Sequence, residues 1–173
     1  MYFIMLCGQG STGKSTFGKF LKSNLLNTSI EFIQMDRIVG QGTFSKECIK
    51  EYVYEIQCAI DGNVSIIADF SQDSISCREH ILNNIIFLDS KKIDLVTVSM
   101  RPDIDALLDR ESKRKNIILE KEDIDKISTI YNSFIFPTNK EFEKYHFNSI
   151  THFVIQNDED YNKVLNFLIE QGV

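Results

Sequence analysis

The sequence contains no run of 18 apolar residues, and Met1 to Cys7 has neither the basic start nor the length of a secretory signal. A membrane span and an exported chain are therefore not expected, and the protein is predicted to be cytoplasmic with no membrane partner. A Pro/Gly/Ser-rich linker, a low-complexity tract and an internal repeat are also missing. Nothing divides the 173 residues, so a single domain over 1–173 is predicted. The four cysteines, Cys7, Cys48, Cys58 and Cys77, lie in no close pair and at no metal-ligand spacing from His80, His146 or His152. That excludes a disulfide framework and a zinc-type site, and leaves reduced, buried or incidental thiols. Positive charge is in short supply as well. At a net charge of −6 and pI near 5.1 the chain cannot coat itself with nucleic acid through a general field, although a local basic groove is compatible with these values.

Against these absences stands one motif. Gly8-Gln9-Gly10-Ser11-Thr12-Gly13-Lys14-Ser15 follows the apolar run Tyr2 to Cys7 and leads into Thr16-Phe17-Gly18-Lys19-Phe20-Leu21. Gly, four residues, then Gly-Lys-Ser is the spacing of a phosphate-binding P-loop. The glycines allow backbone N–H groups to curl around an anion, and the helix that follows adds its positive dipole end. Gly8 to Thr16 are the expected nucleotide-binding residues. Lys14, on a loop expected to be exposed, reaches the β- and γ-phosphates, and the Ser15 hydroxyl binds Mg²⁺. An ordinary glycine-rich strand-to-helix turn needs neither the lysine nor the hydroxyl at these positions.

Along the chain, short β-rich runs alternate with amphipathic stretches, which predicts a parallel sheet covered by helices on both faces. Strands are expected at Tyr2–Cys7, Ile30–Met35, Val64–Ala68, Ile93–Met100 and Ile150–Gln156. Helices are expected from Lys14 to about Leu25, Ser45 to Ile60, Ser74 to about Leu88, after Arg101-Pro102, Glu122 to about Phe134, and Glu159 to Glu170. Val39 to Thr43 reads as a flexible loop. Core stripes are read at Ile49, Val53, Ile56 and Ile60, at Ile104, Leu107 and Leu108, and at Tyr161, Val164, Leu165 and Leu168. Pro102 suits a first helical turn.

Two carboxylates close predicted strands on the edge where ligands gather in open α/β sheets. Asp36 stands where a base that orients or deprotonates an acceptor is needed. Its bland alternative is a turn or helix cap. Asp69 ends the apolar run Val64-Ser65-Ile66-Ile67-Ala68, and this has Walker-B character, a buried strand delivering a carboxylate towards magnesium. It serves either the metal or the acceptor. Arg110 and Arg114 lie four apart on one helix face, before the cluster Lys113-Arg114-Lys115 ends that helix. They are candidates to neutralise a transferring phosphoryl group from a mobile lid at about 110–122. A solvated basic face is the plain alternative.

Taken together, the P-loop, Asp36, the run Ile66-Ile67-Ala68-Asp69 and the phrase Arg110-Glu111-Ser112-Lys113-Arg114 resemble the P-loop kinases related to polynucleotide 5′-kinases, from Tyr2 to about Phe136. Only the P-loop is specific by itself; the other pieces gain weight from their order. The resemblance implies a three-layer P-loop NTPase-type sandwich, a five-stranded parallel sheet of order 2-3-1-4-5 with a helical lid, an aspartate base at Asp36 and a lid arginine at Arg114. The chain departs from the family in two places. Where an Asp-x-x-Arg pattern places an arginine for the acceptor phosphate, this sequence has Val39, with Arg37 directly after the base. After Asp69 it has Phe70-Ser71 in place of a Thr-Asn-type pair.

The expected activity is ATP- and Mg²⁺-dependent transfer of the γ-phosphate to a hydroxyl, with Asp36, Lys14, Arg114 and Arg110 in the chemistry. The first-choice acceptor is the 5′-hydroxyl of a polynucleotide or of a nucleoside 3′-phosphate, bound by Arg37 and Arg78 with Lys46 and Lys50 nearby. The alternative acceptor is a sugar, nucleoside, nucleotide sugar or antibiotic. A regulatory nucleotide switch fits less well: Asp69 is followed by Phe70-Ser71-Gln72, not by the spacing Asp-x-x-Gly, and Asn139-Lys140-Glu141-Phe142 lacks the final Asp of a guanine-binding motif. No obligate protein partner is indicated.

Overall fold

The computed structural model describes residues 1–25, 29–39, 46–70, 75–85 and 92–173, excepting the side chains of Val39, Lys46, Phe70 and Cys77. The loop expected at Val39 to Thr43 lies outside them from residue 40 on, Val39 itself being helical, and so do Ser71, Gln72 and Asp73. Among the described residues five strands form one parallel sheet in the order β2-β3-β1-β4-β5, as predicted. They are β1 (Tyr2–Cys7), β2 (Ile30–Gln34), β3 (Ser65–Phe70), β4 (Asp94–Met100) and β5 (Ser149–Ile155). The helices are α1 (Lys14–Asn24), α2 (Met35–Val39), α3 (Lys46–Asp61), α4 (Ile75–Leu82), α5 (Ile104–Lys115), α6 (Lys121–Asn132), α7 (Asn139–Phe142) and α8 (Tyr161–Glu170). Among the described residues no helix is long and apolar enough to cross a membrane.

The continuous apolar character of β1 follows from its place in the sheet. A central parallel strand is covered on both faces, so both alternating sets of side chains must be apolar. Phe3, Met5 and Cys7 of β1 join Ile66, Ala68, Tyr52, Ile56 and Phe142 in one core layer. Ile4 and Leu6 join Phe17, Leu21, Val96, Val98, Val164 and Leu168 in the other, beneath α1 and α8. Gly18 lets α1 approach β2, because a Cβ there would lie 2.3 Å from the Phe32 ring. Cys7 is fully buried, and burial pushes its thiol pKa up to about 12, so it is an inert part of the core.

Several boundaries differ from expectation for identifiable reasons. The stripe on α3 is rotated, with Tyr52, Ile56 and Ala59 fully buried and Ile49, Val53 and Ile60 at its margins. Helix α4 stops at Leu82, short of Leu88, because the Asn83 and Asn84 backbone N–H groups close a turn and the Asn84 amide donates to His80 O at 2.6 Å. Pro102 does not open α5; Asp103 is the N-cap, and Pro102 precedes it. The first turn expected of the closing helix is a separate 3₁₀ turn, Asp158–Asp160, with a capping box between Asn157 and Asp160. Asp36 belongs to the first turn of α2, not to a strand end, and Asp69 lies within β3, opposite Leu6 and Gln34.

Candidate active site

The Gly8–Ser15 segment joins the C-terminal end of β1, the middle strand, to α1. Its conformation explains its composition. Gly8 has φ +147° and Gly13 φ +99°, where a side chain is strained, and a Cβ on Gly8 would stand 2.8 Å from the Met100 carbonyl oxygen. Ser11 also has a left-handed φ of 59°. No side chain caps the N-terminus of α1, which leaves its first N–H groups available to an anion. Thr12 Oγ1 donates to Gln9 O at 2.9 Å and braces the loop from below.

Lys14 is only 6 % exposed, which corrects the expectation of an exposed loop lysine. Its ammonium donates to Gly8 O at 2.7 Å and Gln9 O at 2.8 Å. Two of its three N–H donors are thus committed to the loop, and one is left to meet an anion. Asp69 Oδ1 is 3.9 Å from Lys14 Nζ, and Asp69 Oδ2 accepts from the Ser15 hydroxyl at 3.0 Å. Burial raises the pKa of Asp69; Lys14 and the Ser15 hydrogen bond oppose that shift, and the nearby Asp36 carboxylate adds to it. Tyr52 donates its hydroxyl to Asp69 O at 2.9 Å and fixes the strand at this point.

The loop opens into a cavity of about 680 Å³ lined on the loop side by Gly10, Ser11, Gly13, Lys14, Ser15 and Thr16. Gly8, Gln9 and Thr12 shape the loop from below and do not line the cavity. Asp36 enters from the β2 side, Arg110 and Arg114 from α5, and Asp158 and Tyr161 from the β5 side. The spacing of four along α5 thus places both guanidinium groups over one hollow. Arg110 Nη1 donates to Thr12 O at 3.2 Å, and Arg114 Nη2 donates to Glu111 Oε1 at 2.7 Å.

The two arginines read as acceptor-binding behave differently. Arg37 is exposed and pairs with Glu55 at 2.5 Å. Arg78 is completely buried and forms a two-pronged pair with Glu141, Nε to Oε1 at 2.7 Å and Nη2 to Oε2 at 2.8 Å, with Nη1 donating to Ile135 O at 3.1 Å. The acceptor role expected of Arg78 is therefore corrected: a guanidinium held this way ties α4 to α7 and does not face solvent. Lys50 lines a different groove, between α3 and α4, and the Lys46 side chain lies outside the described residues.

Sequence reading passed over Glu111, Asp158 and Glu141, and it took Tyr161 for core, whereas Tyr161 lines the cavity. Glu111 was within reach of the pattern, since it continues the inward stripe of Ile104, Leu107 and Leu108. An acidic residue on an inward stripe signals a buried partner. Glu141 carried no such signal, because its partner is 63 residues away.

The donor set suits a magnesium–nucleotide complex. Among the described residues, Asp69 Oδ1 and Gln9 Oε1 are buried without a hydrogen-bond partner, and no group of three or more His, Cys, Asp or Glu side chains could hold a metal by itself. One hydroxyl and one carboxylate beside a phosphate cradle match magnesium, which keeps several waters and takes the rest of its shell from substrate phosphates.

No family model matches the chain, and no curated protein matches it. Solved structures do. A provisionally assigned kinase from Chloroflexus aurantiacus superposes with a TM-score of 0.71 at 13 % identity, over 98 % of this chain and 97 % of that one. Shikimate kinase from Acinetobacter baumannii gives 0.55 at 16 %, over 98 % and 93 %. A chain of the Pnkp1/Rnl/Hen1 RNA repair complex gives 0.59 at 17 %, over 76 % of this chain and 44 % of that one. At these identities the likeness is one of architecture: the protein shares the fold of these structures, a parallel α/β sandwich that carries a P-loop.

Proposed function

We propose that this protein is a kinase that transfers the γ-phosphate of ATP to a hydroxyl. The observation that carries the proposal is the cavity in which the P-loop, Asp36, Arg110 and Arg114 face one another. The loop amides, the free N–H of Lys14 and the end of α1 hold the phosphates. Ser15 and Asp69 would hold magnesium, which when bound would supply charge neutralisation for the phosphates. Asp36 orients the acceptor hydroxyl and takes its proton. The acceptor oxygen bonds to the γ-phosphorus as the bond to the β–γ bridging oxygen breaks, and ADP carries away the electron pair. Arg110 and Arg114, on α5 acting as the lid, neutralise the group in flight.

For the acceptor we propose a 5′-hydroxyl with one phosphate close by, as in a nucleoside 3′-phosphate or a polynucleotide end. Arg37 supports this reading, because it follows the base directly and is exposed, and a phosphate that displaces Glu55 would pair well with its guanidinium. The order of motifs supports it too. With Arg78 buried, a long electrostatic track along a strand finds less support.

The test is ATP consumption by the purified protein with and without 5′-hydroxyl DNA and RNA, nucleoside 3′-phosphates, nucleosides, sugars and aminoglycosides. Stimulation by acceptor is expected, with Asp36→Asn retaining ATP binding and losing most transfer. Arg37→Ala should raise KM for the 3′-phosphorylated acceptor far more than for ATP. Equal KM values for acceptors with and without the 3′-phosphate would exclude the nucleic acid reading, and ATP turnover indifferent to every acceptor would exclude a kinase.

A further inference from the structure

Glu111 has no part in the reaction described above, yet its surroundings are unusual for a carboxylate. It sits near the end of α5 beside Lys113, Arg114 and Lys115, which are exposed, while Glu111 itself is 8 % exposed. Burying a carboxylate is costly unless partners compensate. Here one oxygen accepts from the hydroxyl of Ser11, a P-loop residue 100 positions away. The other accepts from Arg114 at 2.7 Å and lies 3.2 Å from Lys115 Nζ. Ser11 in turn presents its hydroxyl from a left-handed backbone position at the tip of the loop.

The consequence is a chain of contacts from phosphate cradle to guanidinium: Ser11, Glu111, Arg114. Arg114 is otherwise a long side chain, 60 % exposed, near a helix end. Left alone it would populate many rotamers, and ordering it would consume part of the interaction energy it can offer a phosphoryl group. Arg114 Nη2 lies 4.0 Å from where a Gly10 Cβ would be, so the anchored guanidinium hangs over the loop. Burial alone would raise the Glu111 pKa, but the hydrogen bonds from Ser11, Arg114 and Lys115 outweigh it and hold the carboxyl below the usual range. It is thus ionised wherever the kinase would work.

Resting on the kinase reading, we propose that Glu111 is a positioning residue: through Ser11 it latches α5 to the P-loop and holds Arg114 in place over the phosphate site. It touches neither substrate nor metal. An anion there also offsets part of the charge of Arg114 and Lys115, so its removal should not weaken ATP binding.

The test compares Glu111→Ala and the isosteric Glu111→Gln with the unmutated protein, alone and in an Arg114→Ala background. Glu111→Ala should lower kcat by roughly tenfold to a hundredfold, the scale of a misplaced catalytic group, while KM for ATP stays within about threefold. Glu111→Gln, which can still accept from Ser11, should fall between. In the Arg114→Ala background, Glu111→Ala should change kcat less than about twofold, because nothing remains to position. An undiminished effect in that background, or an unchanged kcat in the single variants, overturns the proposal.

A second readout needs no turnover: limited trypsin cleavage at Lys113–Lys115 of the nucleotide-free protein. Loss of the latch should accelerate it at least severalfold in Glu111→Ala at a temperature where both proteins are fully folded, and an unaltered rate overturns the proposal. If the unmutated protein phosphorylates nothing, the kinase reading falls and the cleavage result alone decides whether Glu111 latches α5.

Discussion

Asp69→Asn should make the nucleotide-free protein more stable and abolish the proposed phosphoryl transfer. Asp69 is 2 % exposed, and taking a carboxylate out of water costs several kcal/mol. Lys14 at 3.9 Å returns roughly 4 kcal/mol at an effective dielectric of about 20, so the two effects nearly cancel. The raised pKa indicates that burial prevails. Oδ1, left without a hydrogen-bond partner, tips the balance further. Asparagine keeps an acceptor for the Ser15 hydroxyl and removes the charge, although its amide N–H faces the Lys14 ammonium. The net gain is therefore taken at the low end of the cost of an orphaned polar group, about 1 kcal/mol. That corresponds to a Tm increase of about 2–4 °C for a chain of this size. The pH dependence follows from the direction of the shift. A carboxyl whose folded pKa lies above its unfolded one contributes stability that is complete below the unfolded value and disappears as pH rises through the folded one. The advantage of Asp69→Asn should thus be absent at acid pH and develop as pH rises through that window. Thermal or urea unfolding of both proteins without nucleotide, from pH 4 to 7.5, measures this, and Mg-ATP should then stabilise the unmutated protein more than the variant. An Asp69→Asn protein less stable than its parent at pH 7.5 would refute the reasoning, because it would mean that the Lys14 pair outweighs the cost of burial.

Glu141→Ala removes the carboxylate that neutralises the buried Arg78 guanidinium and should cost about 3–5 kcal/mol in urea unfolding, whereas a paired apolar replacement of both residues should recover most of the loss. Gly18→Ala, despite the better helix propensity of alanine, should destabilise by about 1–3 kcal/mol through the clash with Phe32, and adding Phe32→Leu should relieve it. Lys14→Met should abolish phosphoryl transfer and also lower Tm, since the Gly8 and Gln9 carbonyls lose their shared donor; an unchanged Tm would contradict the buried geometry of Lys14.

What the sequence determined by itself was local or periodic. The P-loop is legible because its glycines, lysine and serine answer to backbone sterics and to phosphate within eight consecutive residues, Gly8 to Ser15. The order of strands and helices is legible because burial on two faces or on one stripe leaves its period in the chain. Arg110 and Arg114 were legible as a pair because one helix face holds residues four apart. Tertiary structure alone decided what depends on distant partners. Arg37 and Arg78 look alike in the sequence, but folding turned one to solvent and closed the other against Glu141, 63 residues on. Lys14 became buried, Asp69 kept an unpaired oxygen, and Glu111 joined α5 to a loop 100 residues earlier. A side chain's type limits the bonds it can make; only the packing of elements remote in sequence brings the partner that makes them.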